Sequence, residues 1–119
     1  DLLTHGERAV IASLSARVGS ISDNHLGGWY AYRASKAAQN QFTRTAAIEL
    51  RRKSKALICV GLHPGTVDTG LSEPFQKRVP ARQLQTPEQA ADHLLQVIDS
   101  LAPEDSGQLF DWSGDTIQP

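Results

Sequence analysis

One cysteine, Cys59, stands in 119 residues. No internal disulfide can form, which fits a reducing compartment and a cytoplasmic protein. No apolar run is long enough to cross a bilayer. The opening Asp1-Leu-Leu-Thr-His-Gly6 lacks the basic region and apolar stretch of a secretion signal. Neither sign of charge dominates: 12 Lys and Arg against 13 Asp and Glu leave a formal net charge of −1. That balance argues against a nucleic-acid surface and an acidic tail. The four histidines show no metal-ligand spacing, so no zinc site is expected. Internal repeats and low-complexity segments are also absent. What remains is 39% hydrophobic and 21% charged, an ordinary globular composition in a length that suits one small domain.

Taken in order, Leu2 and Leu3 followed by His5-Gly6 read as a helix end closed by glycine, with no N-cap and no room for the helix body. The chain is therefore expected to begin within a domain. Ala9–Leu14 is a short β-branched run that fits a strand buried on both faces, as in a parallel sheet. Ser15 to Gly28 turns polar and glycine-rich, a loop. Tyr30 to about Lys53 keeps helical spacing, its alanines permit close approach of a neighbour, and Arg51, Arg52, Lys53 and Lys55 complement the dipole at its end.

Ala56–Leu62 is a second buried strand, with Cys59 as a small core residue, and His63-Pro64-Gly65 stops it. Strand, helix and strand with short links make a crossover unit with a parallel sheet. Thr66 to Gln85 is irregular; a functional lid and disorder are both open readings. Thr86 as N-cap, Pro87 at the first helical position and Gln89 in a capping box start another helix. Ala91, Leu94, Leu95, Ile98 and Leu101 mark its apolar face, and Pro103 ends it. Gly107–Trp112 reads as a short last strand.

The stretch that carries chemistry is Trp29-Tyr-Ala-Tyr-Arg-Ala-Ser-Lys36. On a helix Tyr32 and Lys36 share one face, one turn apart. An ammonium beside a phenol favours the phenolate, and a tyrosine so tuned can give and take a proton near neutral pH. The pair alone is a weak signal, since a solvated helix face has the same spacing. Its setting adds weight: a strand runs into a Ser/Gly loop, the helix carries the pair, and a second strand ends in Pro64-Gly65-Thr-Val-Asp-Thr69. In an open parallel sheet, ligands bind beyond the carboxyl ends of the strands, where both loops fall.

This ordered set resembles the second half of short-chain dehydrogenases/reductases. Ser15-Ala-Arg-Val-Gly-Ser-Ile-Ser-Asp-Asn24, Gly27-Gly-Trp-Tyr-Ala-Tyr-Arg-Ala-Ser-Lys36, Leu62-His-Pro-Gly-Thr-Val-Asp-Thr69 and Ser106-Gly-Gln-Leu-Phe-Asp-Trp112 resemble its C-factor-like and sniffer-like carbonyl reductases. The resemblance implies an α/β fold: the C-terminal half of a Rossmann-type doubly wound parallel sheet, with three strands and two main helices over residues 1–119. It implies an oxidoreductase using NAD or NADP, with NADP favoured, acting on a small carbonyl or alcohol.

In that reading Tyr32 is the acid/base, and Lys36 holds the nicotinamide ribose and tunes the tyrosine. Pro64, Gly65, Val67 and Thr69 form the loop beside the nicotinamide amide, although Pro64-Gly65 is also simply a turn. The family's Ser-Ser-x-x-Gly tract reads Ser15-Ala16-Arg17-Val18-Gly19 here, so Ala16 replaces the usual serine. Ser20 is the first candidate for the hydrogen-bond donor to the carbonyl, Ser15 the second and Ser22 a third; a loop serine without a role is the alternative for each. Trp29 and Tyr30 wall a pocket or pack the helix start, and His25 reads as an exposed loop residue. The helix over residues 30–53 resembles the family's dimer helix, which implies a homo-oligomer.

The family's glycine-rich phosphate loop, Gly-x-x-x-Gly-x-Gly, is nowhere in this sequence. The resemblance therefore covers the catalytic part, with the dinucleotide-binding half absent and activity expected only when it is present. The alternative is a non-catalytic fragment or partner-binding module. An extended-family epimerase or dehydratase shares the Tyr-x-x-x-Lys pair, but the short C-terminal region argues against it.

Overall fold

The computed structural model describes residues 6–70 and 72–119. The expected helix end at Leu2–His5 lies outside the described residues. The chain forms β1 (Ala9–Leu14), α1 (Tyr30–Arg51), β2 (Leu57–His63), β3 (Thr66–Val67), β4 (Leu84–Gln85), α2 (Pro87–Ser100), β5 (Leu109–Asp111) and β6 (Thr116–Ile117). The main sheet has the order β1-β2-β5-β6. β1, β2 and β5 are parallel, and β6 is antiparallel to β5. The three expected parallel strands are thus neighbours; the short β6 is an addition that the sequence pattern did not disclose.

β2 is the buried centre. Its alternation sends Ile58, Val60 and Leu62 to one face, where they form the core with Val97 and Leu101 from the α2 end and Phe110 from β5. On the other face Gly61 lies under α1: a Cβ built on it would stand 3.8 Å from Asn40 Oδ1. The two helices therefore cover opposite faces, the arrangement of a doubly wound sheet. Truncating a core residue such as Leu62 to alanine costs about 2–5 kcal/mol in sites of this kind.

α2 begins as expected. Thr86 accepts a hydrogen bond from Gln89 N at 3.2 Å, and the Gln89 side chain answers at Thr86 N at 3.0 Å, with Pro87 inside the first turn. Its buried face is rotated from the expected one. Ala90, Val97 and Leu101 are buried, Leu94 and Ile98 pack against the core, and Ala91 and Leu95 are exposed. One residue along a helix is about 100°, so a stripe centred one position away exchanges Ala91 for Ala90. Arg8 closes the helix's far end by donating to the carbonyls of Ile98 and Leu101.

β1 has the expected bounds but not the expected burial. Ala12 and Leu14 are exposed, Leu14 at 60%. The reason is topological: β1 stands at the end of the sheet order, and among the described residues no strand covers its outer edge. The stretch from Thr66 to Gln85 is more regular than expected, because β3 and β4 pair in parallel, Thr66 with Leu84 and Val67 with Gln85. Two 3-10 segments, Glu73–Arg78 and Ala81–Gln83, lie between them. Among the described residues no helix is long and apolar enough to cross a membrane.

Candidate active site

The end of β1 runs directly into the site. Ser15 N donates to the Leu62 carbonyl at 2.8 Å, which keeps the chain on the sheet for one more residue. A 3-10 turn at Arg17–Gly19 then presses against α1. Gly27, Gly28 and Trp29 follow with φ of 66°, 72° and 54°, three left-handed residues in succession. The first two are glycines, which adopt this region freely; Trp29 is not. Arg33 holds the turn from one helical turn away. Its Nε donates to the Gly28 carbonyl at 3.0 Å, Nη2 to Gly27 at 3.2 Å and Nη1 to Val18 at 3.3 Å. One guanidinium thus ties the glycine pair and the 3-10 turn to the start of α1, a geometry its rigid fork supplies and an ammonium does not.

Tyr32 and Lys36 lie on the same face of α1. The ammonium is 6.0 Å from the Tyr32 ring centroid, at the outer reach of a cation–π contact. Tyr32 is 48% exposed, its ring meets Trp29 edge-on at 6.4 Å, and no hydrogen bond reaches its hydroxyl among the described residues. Lys36 Nζ donates to Gln39 Oε1 at 3.0 Å and, more weakly, to the Leu14 carbonyl at 3.5 Å. Gln39 Nε2 donates to that carbonyl at 2.8 Å and to Ser13 Oγ at 2.6 Å. Lys36 is therefore anchored at the carboxyl end of β1. An ammonium has three N–H groups, so one stays available to a ligand. Gln39 was missed at the sequence level, though its spacing of three from Lys36 on one helix face was a readable sign.

The serines are placed differently. Ser20 is 1% exposed; its hydroxyl donates to the Gln118 carbonyl and accepts from Asp23 N at 3.1 Å. Ser15 Oγ donates to Asn40 Oδ1 at 2.5 Å, and Ser22 Oγ to the Pro119 carbonyl at 2.6 Å. A hydroxyl has a single proton, so all three are committed to protein oxygens, and none bonds to Tyr32 or Lys36. Beside Ser20 lies a cavity of about 230 Å³, lined in part by Val18, Ile21, Asn24 and Arg33. His25 is exposed, as expected.

β2 delivers Pro64 and Gly65 to the same edge of the sheet, since Leu14 and Leu62 are paired in register. Gly65 has φ +75°, the left-handed region that favours glycine. The loop continues through Val67, whose carbonyl accepts from Ser72 Oγ, to Thr69, whose N–H donates to the same oxygen at 3.3 Å.

Across this edge Arg17 reaches over to β5 and donates to Asp111 Oδ2 at 2.6 Å, with Asp23 at 3.5 Å on its other nitrogen. Burial pushes the Asp111 carboxyl up, but the Ser113 and Arg17 hydrogen bonds outweigh it and hold the group below its ordinary value. His63 sits at the end of β2 opposite Asp111, and its buried Nδ1 has no hydrogen-bond partner among the described residues. Burial lowers its pKa against the pull of Asp111, and the Arg17 charge adds to the lowering. No cluster of three His, Cys, Asp or Glu side chains among the described residues could hold a metal ion.

The described residues thus form a parallel sheet with helices on both faces and a Tyr-Lys pair at the carboxyl end of its strands, the arrangement of a doubly wound α/β fold. A model of the short chain dehydrogenase family matches residues 2–80. The chain belongs to the short-chain dehydrogenase family. It is 38% identical over 115 residues to the C-signal protein of Myxococcus xanthus, covering 97% of this chain and 64% of that protein. It is 38% identical over 112 residues to the 1-hydroxy-2-glutathionyl-2-methyl-3-butene dehydrogenase of Rhodococcus sp. (strain AD45), covering 94% and 47%. Among solved structures, the NADPH-bound carbonyl reductase from chicken fatty liver superposes with a TM-score of 0.80 at 30% identity, over 98% of this chain and 46% of that one. The carbonyl reductase Sniffer of D. melanogaster gives 0.79 at 29% identity, over 93% and 41%. The chain thus spans roughly half the length of most of these proteins.

Proposed function

We propose that this chain is the catalytic part of an NAD(P)-dependent carbonyl reductase or alcohol dehydrogenase, with NADP the favoured cofactor and a small carbonyl or alcohol as substrate. The observation that carries the reading is the Tyr32–Lys36 pair: a half-exposed phenol whose hydroxyl has no hydrogen-bond partner among the described residues, and an ammonium 6.0 Å from its ring, fixed at the carboxyl end of β1. The kinship to the family and to a reductase with NADPH bound supports it.

The residues present fit the cofactor, because among the described residues Lys36 keeps an N–H and Tyr32 a hydroxyl without a partner, on one face. The nicotinamide, when bound, supplies or accepts the hydride. Tyr32 gives its proton to the carbonyl oxygen in reduction and takes it back in oxidation. Lys36 donates to the ribose hydroxyls and keeps positive charge beside the phenol. The Pro64–Thr69 backbone, with Gly65 and Val67, borders the carboxamide. Ser20 serves as the carbonyl's second donor once its bond to Gln118 is released.

Dinucleotide phosphates need a glycine-rich turn at a helix start, which this sequence does not contain. Catalysis therefore requires the family's other half, and this chain alone is inactive. The exposed Phe42 and Ile48 on α1 support a homo-oligomer formed through that helix. The buried single thiol of Cys59 supports a reducing, cytoplasmic setting. The test is reduction of a panel of small ketones and aldehydes by the full-length protein with NADPH or NADH. Turnover with NADPH is expected, and no turnover with either cofactor overturns the reading. The contrasting reading, a non-catalytic module, takes its support from the missing phosphate loop; turnover by the full-length protein would remove it.

A further inference from the structure

Beneath the Pro64–Gly65 turn lies a polar strut that joins three elements. Gln85, on β4 and 7% exposed, donates from Nε2 to the Pro64 carbonyl at 2.8 Å. Its own carbonyl accepts from Asp68 N at 2.8 Å, so Gln85 grips the loop on both sides of Gly65. Its Oε1 is 2.7 Å from Nδ1 of His93 on α2.

The hydrogen-bond roles follow from valence. The Pro64 carbonyl only accepts, so the amide nitrogen of Gln85 must face it. That leaves Oε1, also only an acceptor, toward His93, and Nδ1 must therefore carry the proton. His93 is in turn held against Trp112, just past β5, with ring centroids 5.0 Å apart and tilted by 37°. The turn rests on the same group: a Cβ built on Gly65 would stand 2.6 Å from Gln85 Nε2 and 2.8 Å from Trp112 Cδ1.

We propose that Gln85 and His93 are positioning residues for cofactor binding: α2, through His93, orients the Gln85 amide, which fixes the Pro64 carbonyl and so the peptide planes of the turn that borders the nicotinamide. The proposal rests on the cofactor reading above. Neither side chain touches the cofactor, and their effect is confined to its nicotinamide end.

The confinement supplies the test. In the full-length protein, dissociation constants are measured for NADPH and for 2′-phospho-ADP-ribose, which lacks the nicotinamide. His93→Phe keeps the ring against Trp112 but loses the donor. It is expected to weaken NADPH binding by about 3- to 10-fold, the value of one hydrogen bond, with fragment affinity unchanged within twofold. His93→Asn, whose amide can donate, restores much of the NADPH affinity. Should His93→Phe not fold, Gln85→Met carries the same expectation. Equal losses for NADPH and the fragment, or no loss for either, overturn the strut. Wild-type protein that binds neither compound overturns the cofactor reading and the strut together. Wild-type binding with an unresponsive variant overturns the strut alone.

Discussion

Gly19 lies flat against Lys36: a Cβ built on the glycine would stand 2.7 Å from the Lys36 carbonyl carbon and 2.8 Å from its Cβ. The loop after β1 thereby touches the helix that carries the Tyr-Lys pair at the lysine itself. Because the nearest atom belongs to backbone, it cannot swing aside. Gly19→Ala must separate loop from helix, and overpacking of this kind costs about 1–3 kcal/mol. Urea unfolding of Gly19→Ala should show a lower midpoint with an unchanged slope.

Arg33 should tolerate no lysine. Its guanidinium satisfies three carbonyls, those of Gly27, Gly28 and Val18, and a single ammonium cannot span them. Arg33→Lys is expected to lose about 1–3 kcal/mol and to release the turn that holds Trp29 at φ 54°. Limited proteolysis should then cut between Ser22 and Trp29 in the variant at protease concentrations that leave the wild type whole.

Acid should weaken the fold in two windows. His63 is held below its ordinary 6.5 by burial, so between that value and its lower folded value the unfolded chain binds the extra proton. The stability it contributes is full above 6.5 and is lost as pH falls through that window. Asp111 is held below its ordinary 3.8, so its contribution persists above that value and is lost as pH falls through the lower folded one. Thermal unfolding as a function of pH should show both losses, and His63→Gln should abolish the upper one alone.

Cys59 should be silent to thiol reagents. It lies on β2 at 4% exposure, and burial pushes its thiol up, which leaves little thiolate to react. A chromogenic disulfide should leave Cys59 unmodified in the native protein and modify it after denaturation. Native reactivity would mean that β2 is not the covered central strand.

What the sequence disclosed was local, and what it hid was distant. The bounds of β1 and the Thr86 capping box follow from residues within one turn or strand, and the Tyr32–Lys36 face follows from helical period. The exposure of β1 depends on which strands flank it, which no period encodes. The serines show the same limit. Ser20 stands at the spacing from Tyr32 that made it the first candidate, yet its proton goes to a carbonyl 98 residues away. Arg17 likewise finds Asp111 at a separation of 94. Gln85 and His93, eight apart and on different elements, carry no motif; only the folded loop brings their amide and imidazole together.

The central claim is that the Tyr32 hydroxyl moves the proton at the substrate oxygen. It is tested most directly by Tyr32→Phe in the full-length protein, with NADPH affinity and turnover measured on the same sample. Loss of a positioned general acid predicts turnover reduced by about 100-fold or more, with NADPH affinity changed by less than about threefold, since the exposed hydroxyl supports no part of the fold. Turnover equal to the wild type with NADPH bound would contradict it.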